Sequence, residues 1–236
     1  MDNLAVMAQA TWGLLAHECP AMQVDHLVWY EADAQDGQSR FAELMYARPV
    51  FGGVHPGEGT CNHLLSLGER TYVEILGRDP DQDLTRLDPE VANLTGPGLY
   101  HWAMSGVDLS VLREQALAAG LQGSALVNGG RLLPDGKWLG WQCFGLNGHP
   151  FGALVPFFID WLDSTHPAMT APRGGTLSQV DVFSPDAEQL GALYAALGIG
   201  ITVRQAETSG LTMTLQSRRG DHVLGMLNPV PRGYMI

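Results

Sequence analysis

Charge is scarce in this chain, and basic charge is scarcest. Of 236 residues only 16% are charged, and 13 Lys and Arg stand against 25 Asp and Glu, for a net charge of −12. A chain of that sign repels a phosphate backbone, and no cluster of Lys and Arg makes a local exception. Nucleic acid and anionic membrane are therefore excluded as expected partners. Cysteine is also rare: Cys19, Cys61 and Cys143 stand far apart, odd in number and without a CxxC pair. That argues against a disulfide framework and for small buried thiols in a reducing compartment. No apolar run is long enough to cross a bilayer, and the start Met-Asp-Asn-Leu-Ala-Val-Met lacks the basic residues of a secretory signal. The expectation is a soluble, cytoplasmic protein. Gly174-Gly175 is followed by no GxxxxGK pattern, so no phosphate loop and no nucleotide cofactor are expected.

What the chain does have is apolar content, 45% of residues, and length for one large domain or two small ones. It also repeats itself. His26-Leu-Val-Trp-Tyr-Glu-Ala-Asp33, His101-Trp-Ala-Met-Ser-Gly-Val-Asp108 and Gln179-Val-Asp-Val-Phe-Ser-Pro-Asp186 each pair a residue able to bind a ligand with an acid seven positions on. Each reads as a strand running into the start of a helix, so the fold is expected to be assembled from copies of one unit.

Residues 1–22 form an irregular lead. In the first unit, 24–78, a strand from His26 to Glu31 precedes a helix over 35–46 with Phe41, Leu44 and Met45 at helical spacing. Three strands follow: Pro49 to Val54, Thr60 to Leu67 and Thr71 to Leu76. A polar linker, 79–98, leads to the second unit, 99–166. Its strand is Tyr100 to Ser105, and Asp108 caps a helix whose buried face is Leu109, Leu112, Ala116 and Ala119 and whose end is Gly120. Strands are expected at 130–133, 138–145 and 153–162, the first two joined by the turn Pro134-Asp-Gly136. The third unit, 176–230, has a strand from Leu177 to Phe183, a helix capped by Ser184, and short strands at 201–206, 211–217 and 222–227. It carries Gln179 where the others carry histidine, and no carboxylate in its last strand, so it reads as structural and partial. The fold class is α+β with tandem βαβββ units.

Those tandem units, the opening Asp25-His26-Leu-Val, the stretch Gly-Gly-Val-His55-Pro-Gly-Glu-Gly-Thr-Cys-Asn62-His63-Leu-Leu, then Tyr-Val-Glu74-Ile-Leu-Gly, Arg-Leu-Leu-Pro-Asp-Gly and Pro-Phe-Phe-Ile-Asp160-Trp carry a resemblance. They resemble the vicinal oxygen chelate superfamily, and within it the glyoxalase-like domain family, over most of 24–230. The resemblance implies that paired modules close a cupped mixed sheet around one cavity. In metal enzymes of that superfamily the ligands come from the first and fourth strands of each module. Those positions here are His26, Glu74, His101 and Asp160. Mixed nitrogen and oxygen donors suit Zn, Ni, Co, Mn or Fe(II) about equally. The same residues also read as a hydrogen-bonded set without an ion: His26 paired with Glu74, and Asp160 bound to backbone N–H groups.

Strand alternation puts His26 on a face with Val28 and Tyr30, Glu74 with Tyr72, and Asp160 with Phe158. Tyr30, Tyr72 and Phe158 are thus expected to line the substrate cavity. His55 and Asn62, beside a glycine-bearing turn, are expected to touch substrate, with His55 as a base or oxyanion partner, and His63 to face the other way. Cys61, Cys143 and the tryptophans read as core or cavity wall. The function this points to is a divalent-metal-dependent lyase or isomerase acting on a small oxygen-rich substrate, a vicinal dioxygen or α-hydroxycarbonyl compound, with Glu74 or Asp160 as base. A small-molecule sequestration protein and an Fe(II) dioxygenase are the alternatives, and a homodimer is left open.

Overall fold

The computed structural model describes residues 22–233 except 119, 134 and 135. The lead segment up to residue 21 and the two first residues of the expected 134–136 turn lie outside the described residues. The first module runs β1 (Gln23–Asp33), α1 (Ala34–Met45), β2 (Val50–His55), β3 (Thr60–Ser66) and β4 (Tyr72–Arg78). The stretch expected as a plain linker contains a short helix, α2 (Pro89–Asn93), whose Val91 is buried. The second module runs β5 (Gly98–Ser105), α3 (Leu109–Ala118), β6 (Gln122–Gly123), β7 (Val127–Leu132), β8 (Trp138–Phe144), β9 (Leu146–Asn147) and β10 (Phe157–Asp160). The third unit is β11 (Thr176–Ser184), α4 (Ala187–Ala196), β12 (Val203–Gln205), β13 (Gly210–Ser217) and β14 (Gly220–Gly225).

Two modules make one curved eight-stranded sheet in the order β2-β3-β4-β1-β5-β10-β8-β7. In each half the first strand pairs in parallel with the last, β1 with β4 and β5 with β10, and the halves join by antiparallel pairing of β1 with β5. The repeated acid seven positions after each strand opening is a helix start. Asp33 accepts from the Gln35 N–H, and Asp108 accepts from the N–H groups of Ser110 and Val111. These carboxylates satisfy donors that a first helical turn leaves open. In the third copy Asp186 is the N-cap by backbone alone, and Ser184, expected as the cap, instead accepts from the Asp186 N–H.

The third unit repeats the element order but not the pairing. Its sheet reads β12-β11-β13-β14, so the first strand pairs in parallel with the second rather than with the last. The α4 crossover returns the chain directly beside β11, which leaves only the other edge of β11 for β13. No second half-cup results. The unit instead adds Val182, Leu190, Tyr194, Met213 and Leu215 to the same core that α1, α3 and the back of the large sheet bury. Among the described residues no helix is long and apolar enough to cross a membrane.

Candidate functional site

The concave face of the large sheet encloses a cavity of about 550 Å³. Its chemistry begins with an irregularity in β1. Val24 pairs with Met104 and His26 with Ala103, so Asp25 is an extra residue opposite the β5 strand. Neighbours in a regular strand point to opposite faces; a bulge removes that constraint. Here it brings the Asp25 carboxylate against the Nδ1 atom of His26, at 2.7 Å. Asp25 is fully buried and takes two further donors, Nε2 of His166 at 3.0 Å and Nε1 of Trp161 at 3.2 Å. Burial alone would raise this carboxyl, but the hydrogen bonds from His166 and His26 outweigh it and hold it well below the usual carboxylate range. An ionised Asp25 fixes the proton of His26 on Nδ1. The Nε2 lone pair then faces the cavity, with the ring stacked on Tyr72 at 4.7 Å between centroids.

Glu74 of β4 faces that lone pair, its Oε2 at 3.8 Å from His26 Nε2. The carboxylate is oriented by a chain of hydrogen bonds from the β2–β3 hairpin. The Asn62 amide donates to Glu74 Oε1 at 3.0 Å and to His55 Nε2 at 3.2 Å. With Nε2 accepting, His55 carries its proton on Nδ1 and gives it to the Thr60 hydroxyl at 2.8 Å. Both nitrogens of His55 are thus engaged, and the residue orients Glu74 through Asn62. His63 points away, as alternation from Asn62 requires, and packs edge-on against Phe51.

His101 also lines the cavity, but in a different state. A second bulge leaves Tyr100 unpaired between the Val28–His101 and Trp29–Leu99 pairs. The N–H of Trp102 donates to His101 Nδ1 at 2.9 Å, so the neutral ring carries its proton on Nε2. Burial pushes its pKa down to about 3.

The expected cavity wall needs three corrections. Asp160 is exposed at the end of β10, where its carboxylate accepts from the Leu162 N–H. Phe158 is fully buried on the helix side of the sheet, stacked on Phe144, while Phe157, Ile159 and Trp161 face the cavity. The reason is phase. A strand over 153–162 was expected, but Gly152–Leu154 is a 3-10 turn ahead of Pro156, and the surviving strand starts with Phe157 inward. Tyr30 is fully buried in a side cluster with Leu76, Val91 and Tyr100, closed over by α2, and does not line the cavity.

The donor set for an ion follows from these placements. His26 and Glu74 face each other, but Asp160 is on the other side of the sheet, and the lone pair of His101 is taken by backbone while its other nitrogen is protonated. The quartet of His26, Glu74, His101 and Asp160 does not fit a shared divalent cation. A dioxygenase set of two histidines and one carboxylate meets the same obstacle at His101. Among the described residues no group of three or more His, Cys, Asp or Glu is arranged to hold a metal.

Arg131, the first residue of the Arg-Leu-Leu-Pro-Asp-Gly stretch, is a site residue to which motif reading gives no role. It extends from edge strand β7 across the cavity mouth and donates to the Gly52 carbonyl on the opposite edge strand β2. Gly52 is itself a bulge residue, between the Phe51–His63 and Gly53–Asn62 pairs, which frees its carbonyl from the ladder. Gly53 leaves room for the guanidinium, since a Cβ there would run into it. A signal was available: Val127-Asn-Gly-Gly-Arg131 and Val50-Phe-Gly-Gly-Val54 are equivalent edge strands, and Arg131 stands where the first copy has Val54.

Comparison with known proteins agrees with the architecture. A family model described as glyoxalase-like domain matches residues 24–198. A search of curated proteins gave no match. A hypothetical protein from Staphylococcus aureus superposes with a TM-score of 0.62 at 16% identity, covering 80% of this chain and 87% of that one. A triple mutant of 4-hydroxymandelate synthase from Streptomyces coelicolor gives 0.52 at 16% identity, covering 87% of this chain and 63% of that one. Methylmalonyl-CoA epimerase from Mycobacterium tuberculosis gives 0.40 at 15% identity, covering 62% and 91%, a score too low to add anything. At these identities the likeness is one of fold.

Proposed function

Because this chain belongs to the glyoxalase-like domain family of the vicinal oxygen chelate superfamily, a scaffold that encloses small molecules, we propose that it is a lyase or isomerase that moves a proton on a small oxygen-rich substrate. One observation carries the reading: two oriented proton acceptors, Glu74 Oε2 and His26 Nε2, face one another 3.8 Å apart inside the cavity. Glu74 takes the proton α to the substrate carbonyl, which leaves an enediolate. His26, held in one tautomer by Asp25, relays a proton between the two substrate oxygens, and Glu74 returns its proton to the neighbouring carbon. Asn62 and His55 keep the carboxylate aimed, and the apolar wall of Val28, Leu76 and Phe157 keeps water from the enediolate.

The test is exchange of α-hydrogens for solvent deuterium, followed by NMR across a panel of α-hydroxycarbonyl and 2-oxo compounds. The wild type is expected to exchange at least one of them, and Glu74→Gln to slow it by about 100-fold or more. A wild type that binds such a compound and neither exchanges nor isomerises it refutes the reading. That outcome would favour a sequestering protein, the second reading, which the apolar part of the lining, Val28, Leu76 and Phe157, supports.

A further inference from the structure

Asp25 is held from outside its own module. Trp161, immediately after β10, donates its indole N–H to both carboxylate oxygens at 3.2 Å. His166, farther along the same segment, donates from Nε2 to Oδ2 at 3.0 Å. The other nitrogen of His166 is committed as well. Nδ1 accepts from the Ala168 N–H at 3.1 Å, which places the ring proton on Nε2. With no lone pair left over, His166 cannot pass a proton between Asp25 and solvent. It does not line the cavity either, so it does not touch a substrate held there. What remains to it is orientation.

That orientation has work to do. Asp25 is a bulge residue, so the alternation of β1 does not fix where its carboxylate points. The terminal torsion of an aspartate is also soft. Because the group is fully buried, each oxygen needs a donor. His26 donates to Oδ1 at 2.7 Å and His166 to Oδ2, and the second bond stops the carboxylate from turning away from the first. Tyr72 completes the packing: its ring stacks on His26 and stands edge-on to His166 at 5.8 Å, so both imidazoles rest against one wall.

We propose that His166, assisted by Trp161, is the positioning residue of the acid–base pair. It pins Asp25, Asp25 holds the His26 proton on Nδ1, and the Nε2 lone pair is left opposite Glu74. The proposal rests on the proton-transfer reading for why that lone pair matters. It adds that the first module does not prepare its own base: the two groups that fix Asp25 come from the end of the second.

Nitrogen-15 NMR of the histidines in the full chain, read beside the deuterium-exchange assay, tests this. Wild-type His26 is expected to carry its proton on Nδ1, with Nε2 unprotonated. His166→Phe fills the space and removes the donor. The two ring-nitrogen shifts of His26 should then move toward each other as tautomers mix, and kcat should fall about 10-fold with KM little changed. His166→Gln, whose amide can donate to Asp25 and accept from the Ala168 N–H, should restore both signals. A wild-type His26 with its proton on Nε2 overturns the proposal without any variant. So do unchanged His26 shifts in folded His166→Phe, whatever that variant loses in stability. Should His166→Phe fail to fold, Trp161→Phe removes the indole donor and is read by the same shifts with the same two outcomes. Tautomer mixing in a protein that exchanges no substrate would keep this proposal and remove the proton-transfer reading. Exchange with unmoved His26 shifts would do the reverse.

Discussion

His26 and His101 open the first strands of two paired modules. Both are almost fully buried, and both stand edge-on to Phe157 at 5.3 and 5.2 Å. Their chemistry nevertheless differs. At His26 the bulged residue is an aspartate, which takes the Nδ1 proton and leaves Nε2 as an acceptor in the cavity. At His101 the bulged residue is Tyr100, and a backbone N–H occupies Nδ1, which leaves the ring neutral with its proton on Nε2. Duplication delivers two imidazoles to one cavity. Which nitrogen is basic is decided by a single neighbour in each copy.

The comparison breaks most sharply at Asp25. Asp25→Asn removes the anion that sets the His26 tautomer, and exchange activity is expected to fall by about 100-fold. Circular dichroism checks that the fold remains. If activity persists, the two histidines are not functionally distinct. His101→Phe sharpens the same contrast from the other side. With its folded pKa at about 3, below the unfolded value of about 6.5, the unfolded chain takes up a proton first. The stability of its neutral form is therefore full above about pH 6.5 and is lost as pH falls toward the folded pKa. His101→Phe should recover roughly 2 kcal/mol of the loss between about pH 7 and pH 5, read from thermal or urea melts. His63 and His149 are shifted the same way by burial, so part of the acid sensitivity will remain. Asp25 acts in a lower window. Its depressed pKa contributes stability above about pH 3.9 that disappears below it, which keeps the two effects separable. The third unit sets the bottom of the scale. Tyr194→Phe deletes a hydrogen bond to the Leu154 carbonyl and should cost about 1 kcal/mol of stability while leaving exchange unchanged.

Part of the site was legible in the residues. His26, Glu74, His55 and Asn62 converge as two-residue alternation along their strands implies, and His63 faces away by the same rule. Asp160 and Phe158 failed because that rule is only as good as its phase, and the 3-10 turn before Pro156 shifted the phase by one. Tyr30 has the expected direction, but α2, folded out of a segment rich in Asp and Pro, lies over it. His166 had no ligand spacing along the chain, yet it meets Asp25 across 141 residues of sequence.

The amino-acid order by itself determined what depends on near neighbours. It specified which stretches alternate as strands, where aspartates start helices, and that one unit recurs along the chain. Tertiary structure decided what depends on partners far along the chain. The bulges that turn Asp25 inward and free the Gly52 carbonyl exist only once strands are paired. The reach of Arg131 to β2 exists only once the cup has curved its edges together. A backbone irregularity of one residue is invisible to a periodic pattern, and the placement of the His26 and His101 protons rests on one in each copy.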